Sequence, residues 1–189
     1  SLTAALAWLV LRQQDAVGLA LFDNQIRAMI RPAGNPSHLD EVLHVLESAT
    51  PESKTAAGPI FHELAQRLTK RGVVVVLSDC FDDVDSLVAG LRHFRHRRHD
   101  VVLLHVLDPA ELDFPFRGPT EFKGLEEFPV VQADPQMIKS AYLREISAFR
   151  QSLQQACRAE HIDYFLVRTD QPLDATLTSV LAARPRSVP

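Results

Sequence analysis

The chain has 189 residues, of which 46% are hydrophobic and 23% charged, with a formal net charge of −4 at pH 7. This composition is typical of one globular domain, excludes a disordered or fibrous protein and argues against a nucleic-acid partner, which would require a basic domain. The two cysteines fit a reducing compartment rather than a disulfide framework, and no apolar run reaches the roughly 18 residues of a membrane span. We therefore expect a cytoplasmic protein with no membrane segment in this chain.

The first part of the chain predicts a helix, a β-hairpin and further helices. Residues 2–11 are rich in Ala and Leu and read as a buried helix. Residues 17–22 form a short apolar strand, and residues 26–30 alternate apolar and polar side chains after a turn, which is typical of a hairpin whose second strand is a sheet edge. Two helical stripes follow, which consist of Leu39, Val42, Leu43 and Leu46 in the first helix and Phe61, Leu64, Ala65 and Leu68 in the second.

The second part of the chain predicts strands that alternate with helices. Residues 73–77 read Val-Val-Val-Val-Leu, and five consecutive apolar residues predict a strand buried on both faces at the centre of a parallel sheet. Residues 101–107 and 163–167 predict two more strands, with a helix before and after each. Residues 113–132 interrupt this rhythm, and we interpret them as an inserted arm or hairpin.

This alternation indicates an α/β fold with a mostly parallel sheet and helices on both of its faces. We expect a single domain over residues 1–184, followed by a tail at residues 185–189. Ligands of such sheets bind beyond the carboxyl ends of the strands. The loops that follow the predicted strands are therefore the candidate sites.

Three carboxylates follow the strand at residues 73–77, and they belong to Asp79, Asp82 and Asp83. Because carboxylate oxygens suit hard cations such as Mg²⁺, one interpretation is part of a metal site. The other is that these residues cap the next helix, where the macrodipole favours negative charge. Cys80 has no histidine near it in the sequence and His105 lies inside an apolar strand, so we expect both to be core residues.

The helix before residue 100 ends in a basic run that includes Arg92, Arg95, Arg97 and Arg98. Cations near a helix C-terminus are electrostatically favoured, so a solvated face is one interpretation. The other is a surface that docks an acidic partner or, against the overall negative charge of the chain, a nucleic acid. Together with Asp82 and Asp83, these arginines form a candidate interaction surface.

The order of four segments resembles the bacterial family called domain of unknown function 58, which has a von Willebrand factor A-like domain. The segments are LRQQDAVGLALFD (11–23), RGVVVVLSD (71–79), HDVVLLHVLDPAEL (99–112) and DYFLVRTDQPL (163–173). The resemblance implies a six-stranded Rossmann-like sheet and, in many relatives, a metal-ion-dependent adhesion site. That site consists of an Asp-x-Ser-x-Ser motif, a threonine and an aspartate. Thr55 and Asp79 match the last two, but the motif itself does not occur in this sequence.

The missing motif makes the metal site that the resemblance implies incomplete. Hard cations take about six oxygen ligands, so we expect no cofactor in this chain and Mg²⁺ or Mn²⁺ only in a full-length form that carries the motif upstream. The family's first strand would precede residue 1 and lie between the strands at 17–22 and 73–77. We therefore expect an N-terminally truncated sheet without its central strand. Pairing of the two flanking strands, another segment or a neighbouring chain would close the gap, and the unpaired edges offer a route to homo-oligomers.

Members of the family are typically encoded beside MoxR-type AAA+ ATPases. The resemblance therefore implies a protein–protein interaction module, not an enzyme, that acts with such an ATPase in the assembly or maturation of other proteins. The alternative is a Mg²⁺-dependent hydrolase or phosphoryl-transfer enzyme that uses Asp79, Asp82 and Asp83. Against it, the sequence shows no obvious nucleophile–base pair and no glycine-rich phosphate loop.

Overall fold

The computed structural model of the protein describes residues 2–50, 57–122 and 131–182. Its elements in chain order are α1 (Leu2–Arg12), β1 (Val17–Phe22), β2 (Ile26–Ala33), α2 (His38–Ser48), α3 (Ala57–Arg67), β3 (Val73–Ser78), α4 (Val84–His96), β4 (Asp100–Leu107), α5 (Pro109–Asp113), β5 (Thr120–Phe122), β6 (Val131–Ala133), α6 (Pro135–Ala159), β7 (Asp163–Arg168) and α7 (Leu173–Ala182).

Strands β3, β4 and β7 form a parallel sheet with β4 at its centre. Val73 of β3 lies opposite Asp100 of β4, and Val102 of β4 lies opposite Asp163 of β7. Because the three strands run in the same direction, their carboxyl ends meet at one edge of the sheet, which we call the carboxyl edge. The predicted α/β class with a parallel sheet is confirmed.

Helices cover both faces of this sheet. On one face, α3, α4 and α6 contribute Phe61, Leu91 and Leu153 to the largest core cluster. On the other face, Val180 of α7 and leucines of α1 pack against Val102 of β4. The apolar stripes of α3, α4 and α6 are therefore buried against the sheet, as the sequence predicts.

Strands β1 and β2 form a separate antiparallel ribbon. Side chains hold this ribbon against the rest of the molecule: the ring of Phe22 on β1 meets that of Phe61 on α3 edge to face, with 5.2 Å between the centroids. Ala7 of α1 also packs in one cluster with Ile30 of β2. Within the described residues, no backbone ladder joins β1 to β3. Direct pairing of these two strands, which was one of the expected arrangements, is therefore not observed.

Strand β3 is less buried than its sequence predicts. Val73 is 51% exposed and Val75 38%, whereas Val76 is buried. The prediction of a central strand buried on both faces is wrong for β3, because among the described strands it lies at an outer position with β4 as its neighbour. Strand β4, by contrast, is buried over almost its whole length, as predicted.

Helices α3 and α4 approach each other closely at two glycines. A Cβ atom added to Gly90 would lie 2.8 Å from the carbonyl oxygen of Gly58 and 3.1 Å from the Cβ atom of Phe61. The first distance is too short for a carbon atom beside a backbone oxygen. Any side chain at residue 90 would therefore push the two helices apart.

Gly90→Ala is expected to lower the free energy of unfolding by about 1–3 kcal/mol, because overpacking a close contact forces the backbone to shift. This outcome runs against helix propensity, in which Ala is favoured over Gly by about 1 kcal/mol. Urea denaturation followed by circular dichroism measures the difference. Gly72→Ala is the control, since an added Cβ there has no heavy atom within 4 Å. Equal stability of the two variants would contradict the close approach.

Candidate functional site at the carboxyl edge

The loop after β3 brings Asp79, Cys80 and Phe81 to the carboxyl edge. Cys80 has a φ of 59°, in the left-handed region that non-glycine residues rarely adopt. Its amide donates a hydrogen bond to the Ser78 hydroxyl over 3.0 Å, and its carbonyl accepts one from the Asp82 amide over 2.7 Å. These bonds turn the Cys80 side chain inward and leave Phe81 outside.

Cys80 is a core residue, as the sequence predicts. Its side chain is 2% exposed, and burial raises the pKa of the thiol to about 12. Because the thiolate is the nucleophilic form, a thiol with so high a pKa is unreactive at neutral pH.

The carboxylates of Asp82 and Asp83 bind backbone amides. Asp82 accepts a hydrogen bond from the Ala57 amide over 2.9 Å and one from the Asp83 amide over 2.8 Å. Asp83 is the N-cap of α4 and accepts from the Ser86 amide over 2.8 Å. Asp79 is exposed, and within the described residues its carboxylate accepts a single long bond, 3.4 Å, from the Phe81 amide. Asp82 and Asp83 thus shape the loop and the helix start.

His105 links this loop to the outer strand of the sheet. It is fully buried, and its Nε2 lies 2.8 Å from the Asp79 carbonyl oxygen. Since a carbonyl only accepts, Nε2 carries the proton, and Nδ1 accepts from the Tyr164 hydroxyl over 2.8 Å. Both ring nitrogens are therefore satisfied, which confirms the prediction of a hydrogen-bonded core histidine.

The stability of the protein is expected to fall as the pH drops below about 6.5, the ordinary pKa of histidine. Burial lowers the pKa of His105 in the folded state, and only part of this shift is opposed by its bond to the Asp79 carbonyl. Between the two pKa values the unfolded chain holds a proton that the folded chain does not, so acid favours unfolding. Above the ordinary pKa His105 is neutral in both states and contributes no pH dependence.

Urea denaturation at a series of pH values between 8 and 5, roughly the range in which histidine titrates, tests this expectation. The slope of the free energy of unfolding against pH should decrease in His105→Asn, which cannot titrate. An unchanged slope would place the effect in other histidines.

Two further side chains join the ends of β4 and β7. Thr169 donates a hydrogen bond from its hydroxyl to the Asp108 carboxylate over 2.7 Å. Asp108 also caps α5 and accepts from the Ala110 amide, and these bonds hold the pKa of Asp108 below its ordinary value. At this part of the carboxyl edge, the ionised Asp108 carboxylate therefore links the end of β4 to the end of β7.

Phe81 is an exposed apolar group of the carboxyl edge that no pattern in the sequence indicates. Its side chain is 53% exposed, and its ring stacks on Phe149 of α6 with 6.2 Å between the centroids. Asp79 and Asp83 beside it are exposed as well. The result is an aromatic group, supported from behind and flanked by acidic side chains.

The basic part of the candidate interaction surface lies at the opposite end of the sheet. Arg95 donates to the His99 carbonyl over 2.9 Å and pairs with Asp100 over 3.0 Å, at the start of β4. Arg92 pairs with Glu160, 3.4 Å away, at the end of α6. Arg97 and Arg98 are exposed. The structure therefore does not bring these arginines together with Asp82 and Asp83.

The described residues do not fit the metal site that the family resemblance implies. Thr55 lies outside them, so only Asp79 of the expected ligands is placed. Within residues 2–50, 57–122 and 131–182, no three His, Cys, Asp or Glu side chains are grouped as metal ligands. The predicted binding of Mg²⁺ or Mn²⁺ by a longer form stays a prediction.

Comparison with known proteins gives a family and a fold. The sequence model of a family described as "Protein of unknown function DUF58" matches residues 1–152, from α1 into α6. No curated protein is similar enough to match. The helices in the described part of the chain include none that is both long and apolar enough to cross a membrane.

Two solved structures are similar to this one. The first is a crystal structure of an aerotolerance-related membrane protein from Bacteroides fragilis NCTC 9343 with multiple mutations to serines. It is 17% identical with a TM-score of 0.59, and the match covers 96% of this chain and 85% of that one. The second is the conserved hypothetical protein BatB from Bacteroides thetaiotaomicron, 14% identical with a TM-score of 0.55, where the match covers 95% of this chain and 85% of that one. At such identities the similarity shows the fold alone.

Proposed function

Because the chain belongs to the DUF58 family, whose function is unknown, we propose that it is a protein–protein interaction module that docks its partner at the carboxyl edge. The observation that carries this proposal is the exposure of Phe81 in a well-defined loop. An aromatic ring that is half exposed and stacked on a second ring presents apolar area at a small entropic cost. A partner pocket that covered it would remove that area from water.

The chemistry of the neighbouring groups supports binding over catalysis. The Cys80 thiol is buried with a pKa of about 12, and both nitrogens of His105 are engaged. The carboxylates of Asp82 and Asp83 accept hydrogen bonds from backbone amides. These groups stabilise a rigid loop, and rigidity in the free protein lowers the entropy lost on binding.

The partner that we propose is a MoxR-type AAA+ ATPase, acting with this chain in the assembly or maturation of other proteins. The family resemblance supports this choice. The acidic side chains beside Phe81 add a chemical requirement, which is that the partner surface combines an apolar pocket with basic residues at its rim.

Phe81→Ala is expected to weaken binding to the MoxR-type ATPase encoded in the same genome by about tenfold or more, which is the loss typical of a central aromatic anchor. Isothermal titration calorimetry with the purified ATPase measures the change. Trp8→Ala is the matched control, because Trp8 is an aromatic residue of α1 with 46% exposure. If Trp8→Ala lowers the affinity and Phe81→Ala does not, the docking surface lies elsewhere. If the wild-type chain does not bind the ATPase, the proposed partner is wrong.

A further inference from the structure

A polar cavity of about 410 Å³ lies between α6, β7 and α7. Strand β7 is an outer strand of the parallel sheet, since its ladder is with β4 alone among the described strands. Tyr164, Phe165 and Leu166 of β7 line the cavity, together with side chains from the two helices. The cavity is separate from the Phe81 loop, which follows the outer strand on the other side of β4.

Arg150 of α6 is the only charged residue among the described residues that line this cavity. Its Nε atom is buried and has no hydrogen-bond partner within the described part of the chain. The same guanidinium lies close enough to the Tyr164 hydroxyl to interact with it. A buried guanidinium N–H without an acceptor is costly, and a native structure usually supplies that acceptor. The Arg150 side chain lines the cavity, so a small rotation that turns Nε toward the cavity would let a ligand supply the acceptor.

The remaining lining residues indicate the charge of that ligand. They include the amides of Gln151, Gln154 and Gln171 and the hydroxyl of Ser147, which can all donate hydrogen bonds. None of the described residues that line the cavity carries a carboxylate. A cavity with one guanidinium, several neutral donors and no acid favours an anion over a cation.

We propose that this cavity binds a small oxyanion, with Arg150 as its anchoring residue. The planar fork of a guanidinium matches the geometry of a carboxylate or a phosphate, which is the chemistry that the two ligand classes share. The volume lies near the lower end of the range for small-molecule sites, about 300–1,000 Å³, and therefore suits a metabolite-sized ligand. Since the site and the Phe81 surface use different residues, either proposal can fail without the other.

The test is an NMR titration of the ¹⁵N-labelled chain with sodium phosphate and, separately, with sodium succinate, each at constant ionic strength set by sodium chloride. We expect saturable shifts of the Arg150 Nε–H signal and of the Gln151, Tyr164 and Ser179 amides with at least one anion. Saturation with phosphate alone identifies a phosphate site, and saturation with succinate alone identifies a carboxylate site. The absence of saturable shifts with both anions would overturn the proposal.

Three variants make the assignment specific to Arg150. Arg150→Gln should lower the affinity for the anion by about tenfold or more, in line with the loss of a charged hydrogen bond. Arg158→Gln is the control, because Arg158 lies on the same helix but is exposed, and it should leave the affinity unchanged. Arg150→Lys keeps the positive charge but lacks the planar guanidinium, so it should bind the anion with intermediate affinity. This variant tests the role of Arg150 if Arg150→Gln does not fold. Equal affinities of Arg150→Lys, Arg158→Gln and the wild-type chain would also overturn the proposal.

Discussion

Phe61→Ala is expected to lower the free energy of unfolding by about 3–5 kcal/mol, which is the range for deleting a fully buried aromatic ring. The Phe61 side chain is 0% exposed. Its ring centroid lies 5.2 Å from that of Phe22 and 6.0 Å from that of Phe94. The substitution therefore leaves a cavity and removes two aromatic contacts at once. Urea denaturation followed by circular dichroism measures the loss.

Phe81→Ala is the control for this experiment, because it deletes the same atoms from a side chain that is 53% exposed. We expect a change of about 1 kcal/mol or less, as for most surface substitutions. Two variants of similar stability would contradict the burial of Phe61.

Phe61→Ala also tests how the β1–β2 ribbon is attached to the parallel sheet. Phe22 is the ribbon's aromatic contact with Phe61, and no backbone ladder runs between β1 and β3 within the described residues. We therefore expect the amides of β1 in Phe61→Ala to exchange with solvent before those of β4, which is paired on both sides. Uniform exchange of the two strands would show that the ribbon and the sheet unfold as one unit.

The positions of the main strands were predictable from the sequence, because apolar runs and breaks between them are local signals. The strands at residues 17–22, 73–77 and 163–167 appear as β1, β3 and β7 with ends that differ by at most one residue. Burial was less predictable, because it also depends on neighbours that the run itself does not specify. Residues 73–77 and 101–104 are both wholly apolar, yet among the described strands β4 has a neighbour on each side and β3 has one.

In the candidate site, too, features set by the local sequence were predictable and features set by tertiary contacts were not. A single polar residue inside an apolar strand must find hydrogen bonds in the core, so the environment of His105 could be predicted, but its partners Asp79 and Tyr164 could not. The exposure of Phe81 depends on the left-handed turn at Cys80, which no glycine signals. Arg150 was missed although a signal exists.

That signal is the position of Arg150 on an otherwise apolar helix stripe. It lies four residues after Ile146 and three before Leu153, and both of those side chains are buried. A charged residue at such a spacing points at the core instead of the solvent. Arginines at inward helical positions are thus candidates for ligand contacts even where no motif is present.

The largest expected effect on assembly concerns the gap between β1 and β3. Each strand has a backbone edge that no strand in the described part of the chain pairs with, and an unpaired apolar edge readily accepts another strand. Residues 73–77 carry no charged side chain that would discourage such pairing. We therefore expect the 189-residue chain to self-associate through these edges as its concentration rises.

Sedimentation velocity over a wide range of concentrations measures this association, and hydrogen exchange locates it. Association should protect the amides on the free edge of β3, whereas those that face β4 are protected at every concentration. Val75→Lys places a charge on the edge strand and should weaken self-association by about tenfold or more. Lysine side chains on edge strands commonly prevent pairing with another chain. Met137→Lys, on a side chain of α6 that is 82% exposed, adds the same charge away from the gap and should have no effect. If the wild-type chain remains monomeric and the free-edge amides of β3 still exchange slowly, the edge is covered within the chain itself and the expectation is wrong.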